Sequence, residues 1–219
     1  MSDRYFTYKT LSNEHILEKV RGVIHVGANY GQEREVYARH GLLVHWIEPI
    51  TSIFLELIEN VSEPKFSYQR AYPFAAWDDD DPNLPFHVTN NEGQSSSAFE
   101  LDCHLDVWPE VKEVETVTVR GMKLDSFYKT YTIDVPHLDM LVIDAQGAEL
   151  RVLRGAIETL SRMKFVQVET ADFELYDGCA RLSEIDAFMR EHGFKEMSRA
   201  SFSPRPDIGQ CYEVLYERI

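Results

Sequence analysis

The chain has 219 residues, of which 22 are Lys or Arg and 37 Asp or Glu, giving a formal net charge of −15. That length suits one domain with room for an insertion, and 44% apolar residues supply a core, which excludes disorder throughout. The acidic balance argues against nucleic acid and anionic membranes as partners, because phosphate binding needs clustered Lys and Arg.

At the N-terminus Asp3, Arg4 and Lys9 interrupt any apolar stretch, so no secretory signal is expected. Ser12 is placed to cap a short helix with Ile16, Leu17 and Val20 on one face, making residues 1–20 a helical segment. Val23 to Val26 reads as a short buried strand stopped by Gly27. A helix follows from near Gly31, with Glu33 in its first turn, to His40-Gly41. Leu42 to Glu48 is a second strand closed by Pro49, and Thr51 or Ser52 can cap a helix with Phe54, Leu57, Ile58 and Val61 at helical spacing. Phe66 to Tyr72 is a third strand. Strand, helix, strand, helix, strand is the order of a parallel sheet with right-handed crossovers.

From Trp77 to Asp125 the chain is turn-rich, with Asp78 to Asp81, Asn90 to Gly93 and Ser95 to Ser97. Phe86 to Val88 and Val117 to Val119 alternate like edge strands. Residues 77–125 therefore read as an insertion or lid within a single domain of residues 1–219. Alternation resumes with a strand at Leu138 to Asp144 and a helix at Ala148 to Leu160, with Leu150, Leu153, Ala156, Ile157 and Leu160 inward. Phe165 to Glu169 is a strand and Ser183 to His192 a helix. Phe194 to Met197 and Cys211 to Tyr216 complete the sheet as an antiparallel pair. No apolar run reaches the ~20 residues that cross a bilayer, so no stable membrane insertion is expected. Cys103, Cys179 and Cys211 are odd in number and lack metal-type spacing, which predicts reduced thiols and a cytoplasmic location.

The first chemical signal is His25-Val26-Gly27-Ala28-Asn29-Tyr30-Gly31-Gln32-Glu33. A strand that ends in glycine lets a ligand approach the backbone, and the helix start behind it presents free N–H groups. About twenty residues on, Glu48 ends the second strand, where its two oxygens can accept both hydroxyls of a ribose. Glycine turn and distal acid read as a nucleoside-cofactor site; a plain strand-to-helix turn is the alternative. The dinucleotide fingerprint needs three glycines, G-x-G-x-x-G. Here the spacing is Gly27-x-Asn29-x-Gly31, with Asn29 where S-adenosylmethionine sites carry their middle glycine. Asparagine tolerates left-handed backbone, so the exchange is physically reasonable.

Four segments in order then carry a resemblance. They are Val26 to Asn29 with Gly31 and Glu33; Gln94 to Ser97; Leu124-Asp125; and Ile143 to Leu150 running into Val152 to Ala156. Glu169 and Gly193-Phe194 also fit. On these residues the chain resembles the FkbM-type methyltransferases, S-adenosylmethionine-dependent O-methyltransferases, from about Val23 to Tyr216. The likeness is most specific from Asp144 to Ala156. The family usually has an acid two residues before Gly27, where this chain has His25.

The resemblance implies an α/β, Rossmann-like class I methyltransferase fold, with a seven-stranded, mostly parallel sheet, an antiparallel C-terminal hairpin and an inserted lid. It implies S-adenosylmethionine held by His25, Gly27, Ala28, Asn29, Gly31, Glu33, Glu48, Pro49, Ala75, Ala76, Ser96, Ser97 and Asp144. Ala75 and Ala76 follow the third strand, the region that lies against adenine in such enzymes. The acceptor it implies is a small molecule or glycan hydroxyl, a sugar hydroxyl foremost.

Asp144, His104 and Glu169 are the catalytic candidates, in that order. Asp144 ends a central strand, where open α/β sheets bind ligands, although it could merely cap the next helix. Glu169 stands at a strand end and a solvated terminus is its other reading; Glu149 reads as a first-turn acid favouring the helix dipole. His104 can take a proton near neutrality, or be an ordinary surface histidine. His40, His45 and His192 are assigned to packing or surface, and Asp78 to Asp81 to a solvated turn. Trp108, Tyr128 and Tyr131 could stack on a pyranose or fill the core. A divalent cation at Asp144 or Glu169 stays open, with no metal-ligand set fixed, as does the oligomeric state. Two rivals remain: an NAD-dependent oxidoreductase, which would share the glycine turn and Glu48, and a non-catalytic S-adenosylmethionine-binding module, suggested by His25.

Overall fold

Every residue of Gly22–Val26 (β1) is buried, as befits a strand covered on both faces, and β1 lies inside a seven-stranded sheet. The computed structural model describes residues 14–131, 137–202, 205 and 207–219. Ser12, and with it the cap expected for the N-terminal helix, lies outside the described residues; Glu14–Lys19 is a 3₁₀ turn with Ile16 and Leu17 buried. β1 pairs in parallel with β2 (Leu43–Ile47) on one side and β8 (Met140–Ile143) on the other. β3 (Gln69–Tyr72) continues beyond β2, and β9 (Phe165–Ala171) beyond β8, both in parallel. β11 (Cys211–Arg218) is antiparallel to β9 and to β10 (Phe194–Ser201), giving the order β10-β11-β9-β8-β1-β2-β3.

Alternation along the strands feeds two cores. Val23, Val44, Trp46, Met140 and Val142 face α1 (Arg34–Arg39) and α2 (Thr51–Asn60) through Val36, Tyr37 and Leu57. Ile24, Val26, Leu141, Ile143, Val166 and Val168 pack on the opposite side with α4 (Leu124–Tyr131), α5 (Glu149–Arg154), α6 (Ile157–Leu160) and α7 (Leu182–Glu191). Each such buried aliphatic side chain stabilises the fold by about 1.5–3 kcal/mol before entropy is counted.

Three expectations shift. Phe66 belongs to a 3₁₀ turn, Pro64–Phe66, opened by Pro64, whose fixed φ and missing N–H suit the first position of a helical turn. In α2 the buried positions are Ile53 and Leu57, while Ile58 is exposed. The helix serves two partners: Leu57 meets the sheet, whereas Ile50 and Ile53 meet the insertion. Its N-cap is Ile50 rather than Thr51 or Ser52, without a side-chain cap. The helix expected over Ala148 to Leu160 divides into α5 and α6 at Gly155, where a Cβ would stand 1.9 Å from the Trp77 carbonyl oxygen. The break leaves Ile157 exposed.

Residues 77–125 carry β5 (Leu84–Thr89) paired antiparallel with β6 (Glu113–Val119), and the short helix α3 (His104–Val107). β7 (Gly121–Met122) pairs with β4 (Ala75–Ala76). The aspartate run is more fastened than a solvated turn: Asp78 reaches Arg151 at 2.7 Å, and Asp80 accepts from Lys123 N–H and the Ser126 hydroxyl.

Candidate functional site

Gly27 takes φ +78°, and a Cβ there would lie 1.8 Å from the Asp144 carbonyl oxygen, so only glycine lets β1 turn beside β8. Gly27 and Ala28 both donate N–H to the Ile47 carbonyl at 3.1 Å, tying the bend to β2. Asn29, at φ 45°, donates its N–H to Glu48 Oε2 at 2.9 Å, and Ile50 N–H donates to Glu48 Oε1 at 2.8 Å. Glu48 is buried, and burial pushes its carboxyl up to about 8 in spite of these two donors. Each oxygen keeps a lone pair for a ligand hydroxyl.

The end of β8 is built by a second left-handed bend, Gln146 at φ 50° and Gly147 at φ +97°. Gln146 is a hub: its Nε2 donates to Asp144 Oδ1 at 2.5 Å, its Oε1 accepts from the Tyr176 hydroxyl at 2.7 Å, and its carbonyl accepts from Ser97 Oγ at 2.6 Å. Glu149 is buried, with Oε1 accepting from Ala145 and Gly147 N–H groups. Burial raises it to about 8, and the charges of Asp144 and Glu169 add to the rise. It is thus part of the site floor as well as a first-turn acid.

A cavity of about 880 Å³ opens over these strand ends. It is lined by His25, Gly27, Ala28, Asn29, Glu33, Glu48, Pro49, Ala75, Ala76, Ser96, Asp144, His104 and Glu169. Gly31 and Ser97 stand off its wall. Gly31 packs on Leu57, which a Cβ would approach to 2.7 Å, and Ser97 joins Gln146 to the Phe99 backbone. The N–H groups of Ala75 and Trp77 are engaged by Arg120 and Met122 carbonyls. His25 is buried against Trp46, ring centroids 4.9 Å apart, with Nδ1 3.0 Å from the Tyr37 hydroxyl. His104 is buried too, and burial holds it down to about 4. Trp108 lines the cavity, whereas Tyr128 is bonded to His45 in the core and Tyr131 is exposed. Among the described residues no group of three or more His, Cys, Asp or Glu is arranged to hold a metal ion. Tyr176 is a site member that sequence reasoning passed over; Ser95 and Gln146 entered only within the segments that carry the resemblance, and Glu149 only as a first-turn acid. A glutamine just before Gly147, in a bend between strand and helix, was the one available signal.

Sheet order, crevice and bends together are those of the class I, S-adenosylmethionine-dependent methyltransferase fold. The FkbM methyltransferase domain matches residues 25–196, and the chain belongs to that family. A curated relative is the 2-O-methyltransferase NoeI of Sinorhizobium fredii, 30% identical over 101 residues, 43% of this chain and 41% of that protein. The match thus spans about two-fifths of that relative's length. Among solved structures, the CcbJ methyltransferase of Streptomyces caelestis has a TM-score of 0.51 at 9% identity, with 94% of each chain covered. Sp1610 of Streptococcus pneumoniae, a candidate tRNA (m1A22) methyltransferase, has a TM-score of 0.51 at 10% identity, covering 94% of this chain and 69% of that one. These structural likenesses speak to the fold. No helix among the described residues is long and apolar enough to cross a membrane.

Proposed function

We propose that the chain transfers a methyl group from S-adenosylmethionine to a hydroxyl oxygen of a small-molecule acceptor, a sugar or glycan hydroxyl foremost. The observation that carries this reading is that the Gly27–Asn29 bend, Glu48 and Asp144 meet in one cavity of about 880 Å³. The residues present fit the methyl donor. Glu48 offers both carboxyl oxygens to the ribose hydroxyls, and Ala28, Ala75 and Ala76 leave room for a flat base. Asp144 and Glu169 add carboxyl oxygens to the cavity lining, suited to a cationic methionine end. When bound, the donor supplies a methyl group on a positively charged sulfur.

The chain's own residues hold the reactants in line, which is where most of the acceleration of such a transfer arises. Asp144, just past the end of β8, and Glu169, which lies inside β9 opposite Glu213 rather than at a strand end, orient the acceptor hydroxyl, and His104 faces the cavity from the insertion. Trp108 offers an apolar face to a pyranose. Residues 77–125 cover the acceptor side, within one domain spanning the chain. The scattered cysteines support a reducing, cytoplasmic setting. The name of the NoeI relative supports oxygen as the methylated atom.

The test is incubation of the pure protein with methyl-labelled S-adenosylmethionine and a panel of mono- and oligosaccharides. Label on a sugar oxygen is expected. No transfer to any member of a broad panel counts against a sugar acceptor, and binding of NAD in place of S-adenosylmethionine overturns the reading altogether.

A further inference from the structure

Ser95 and His104 form a hydrogen-bonded pair at the cavity wall, with Nε2 3.0 Å from Oγ. His104 is 2% exposed, its ring held between Trp108 and Tyr176 at centroid distances of 4.8 and 5.2 Å. Its Nδ1 is buried and has no hydrogen-bond partner among the described residues. A proton therefore enters or leaves this imidazole through the Ser95 hydroxyl.

The surroundings of Ser95 leave its hydroxyl proton available to the imidazole. Asn91 Oδ1 accepts from the Thr89 hydroxyl at 2.7 Å and from Ser95 N–H at 3.3 Å. That sets the amide so that Asn91 Nδ2 donates to Ser95 Oγ at 2.9 Å. One Oγ lone pair is then filled, and the hydroxyl proton is free to go to Nε2. The other lone pair is left for a donor from the cavity. The Tyr176 hydroxyl, bonded to Gln146 Oε1, also lies 3.3 Å from the Ser95 carbonyl, and Gln146 in turn holds Asp144. A continuous set of bonds thus ties Ser95 to the end of β8.

Resting on the methyltransferase reading above, we propose that Ser95 relays the acceptor's hydroxyl proton to His104 during methyl transfer. As the acceptor oxygen bonds the methyl carbon, the carbon–sulfur bond breaks and sulfur keeps its electron pair. The acceptor proton passes to Ser95 Oγ while the Ser95 proton passes to His104 Nε2. One positive charge leaves sulfur and one appears on the imidazole, so the charge within the cavity is unchanged. Burial keeps His104 neutral until then, and the carboxylate of Glu110, also on the cavity wall, favours the imidazolium that forms. Ser95 is the catalytic residue here, and His104 acts through it.

The direct test is nitrogen-15 NMR of histidine-labelled protein, which reads the tautomer of His104 without any acceptor. The expected result is a neutral ring protonated at Nδ1, with Nε2 accepting from Ser95, and loss of that preference in Ser95→Ala. A ring protonated at Nε2 overturns the relay, because Ser95 would then have no base behind it. With a saccharide that accepts methyl, Ser95→Ala lowers kcat by about 10²–10⁴-fold at little-changed KM, and Ser95→Thr restores it. His104→Gln moves the pH–rate profile to the alkaline side. Unaltered kcat in Ser95→Ala overturns the proposal. Calorimetric binding of S-adenosylhomocysteine separates the two levels: wild-type protein that does not bind it loses the methyltransferase reading as well, whereas binding with the wrong tautomer sinks the relay alone.

Discussion

Gly27 is where the backbone that follows β8 leaves no room for a side chain. Gly27→Ala adds both a left-handed strain and a 1.8 Å approach to the Asp144 carbonyl. We predict a loss of at least ~2 kcal/mol in urea unfolding, together with loss of S-adenosylhomocysteine binding; a variant of wild-type stability would contradict the bend. A second prediction concerns pH. Glu48 and Glu149 stand at about 8 in the fold against an ordinary 4.5. Between those values the folded chain keeps protons that the unfolded chain releases, so their contribution falls as pH rises. His45 and His104 stand at about 4 against 6.5, so the unfolded chain binds the extra protons and stability falls as pH drops through that window. Above pH 6.5 the carboxyls act without that opposition from the histidines. The melting temperature of the ligand-free protein should therefore decline from pH 6.5 to 8, and Glu48→Gln should flatten part of the decline. A melting temperature that rises over this range would refute the assignment. Gly27, Asn29, Glu48 and Asp144 were legible in the sequence because bends and strand ends restrict residue type. The bonds that join Ser95, Tyr176 and Gln146 were not, because they cross long stretches of chain, such as Tyr176 with the Ser95 carbonyl.

At the scale of elements, Leu124-Asp125 gains a physical meaning. Leu124 is buried in the core, and Asp125 accepts from the N–H groups of Glu158 and Thr159 and from the Thr159 hydroxyl. A carboxylate of α4 thus satisfies the start of α6, which has no cap of its own. Asp125→Ala should cost about 1–2 kcal/mol, read by denaturant titration, with cofactor affinity nearly unchanged; an unaffected midpoint would show the cap to be idle. The alternation of strands and helices was legible because burial periodicity is local. The break at Gly155 was not, since its cause is the Trp77 carbonyl far away in sequence. The phase of α2 also escaped, because the insertion competes with the sheet for its apolar face.

At the scale of the whole molecule, the parallel strands direct their carboxyl ends toward one crevice, and β11 alone runs the other way. That arrangement gathers loop residues from β1, β2, β8 and β9 without any of them being close in sequence. Ligand binding to such a preformed site should stabilise the whole fold: S-adenosylhomocysteine at 100 times its Kd should add about 2.7 kcal/mol, whereas NAD should add nothing. A thermal shift with both ligands reads this, and a shift with NAD alone would favour the oxidoreductase rival. The central claim is the location of the nucleoside. A crystal structure with S-adenosylhomocysteine tests it most directly. The account predicts ribose hydroxyls in hydrogen-bond contact with Glu48 and the sulfur turned toward Asp144; a nucleoside bound elsewhere, or side chains filling the crevice, would contradict it.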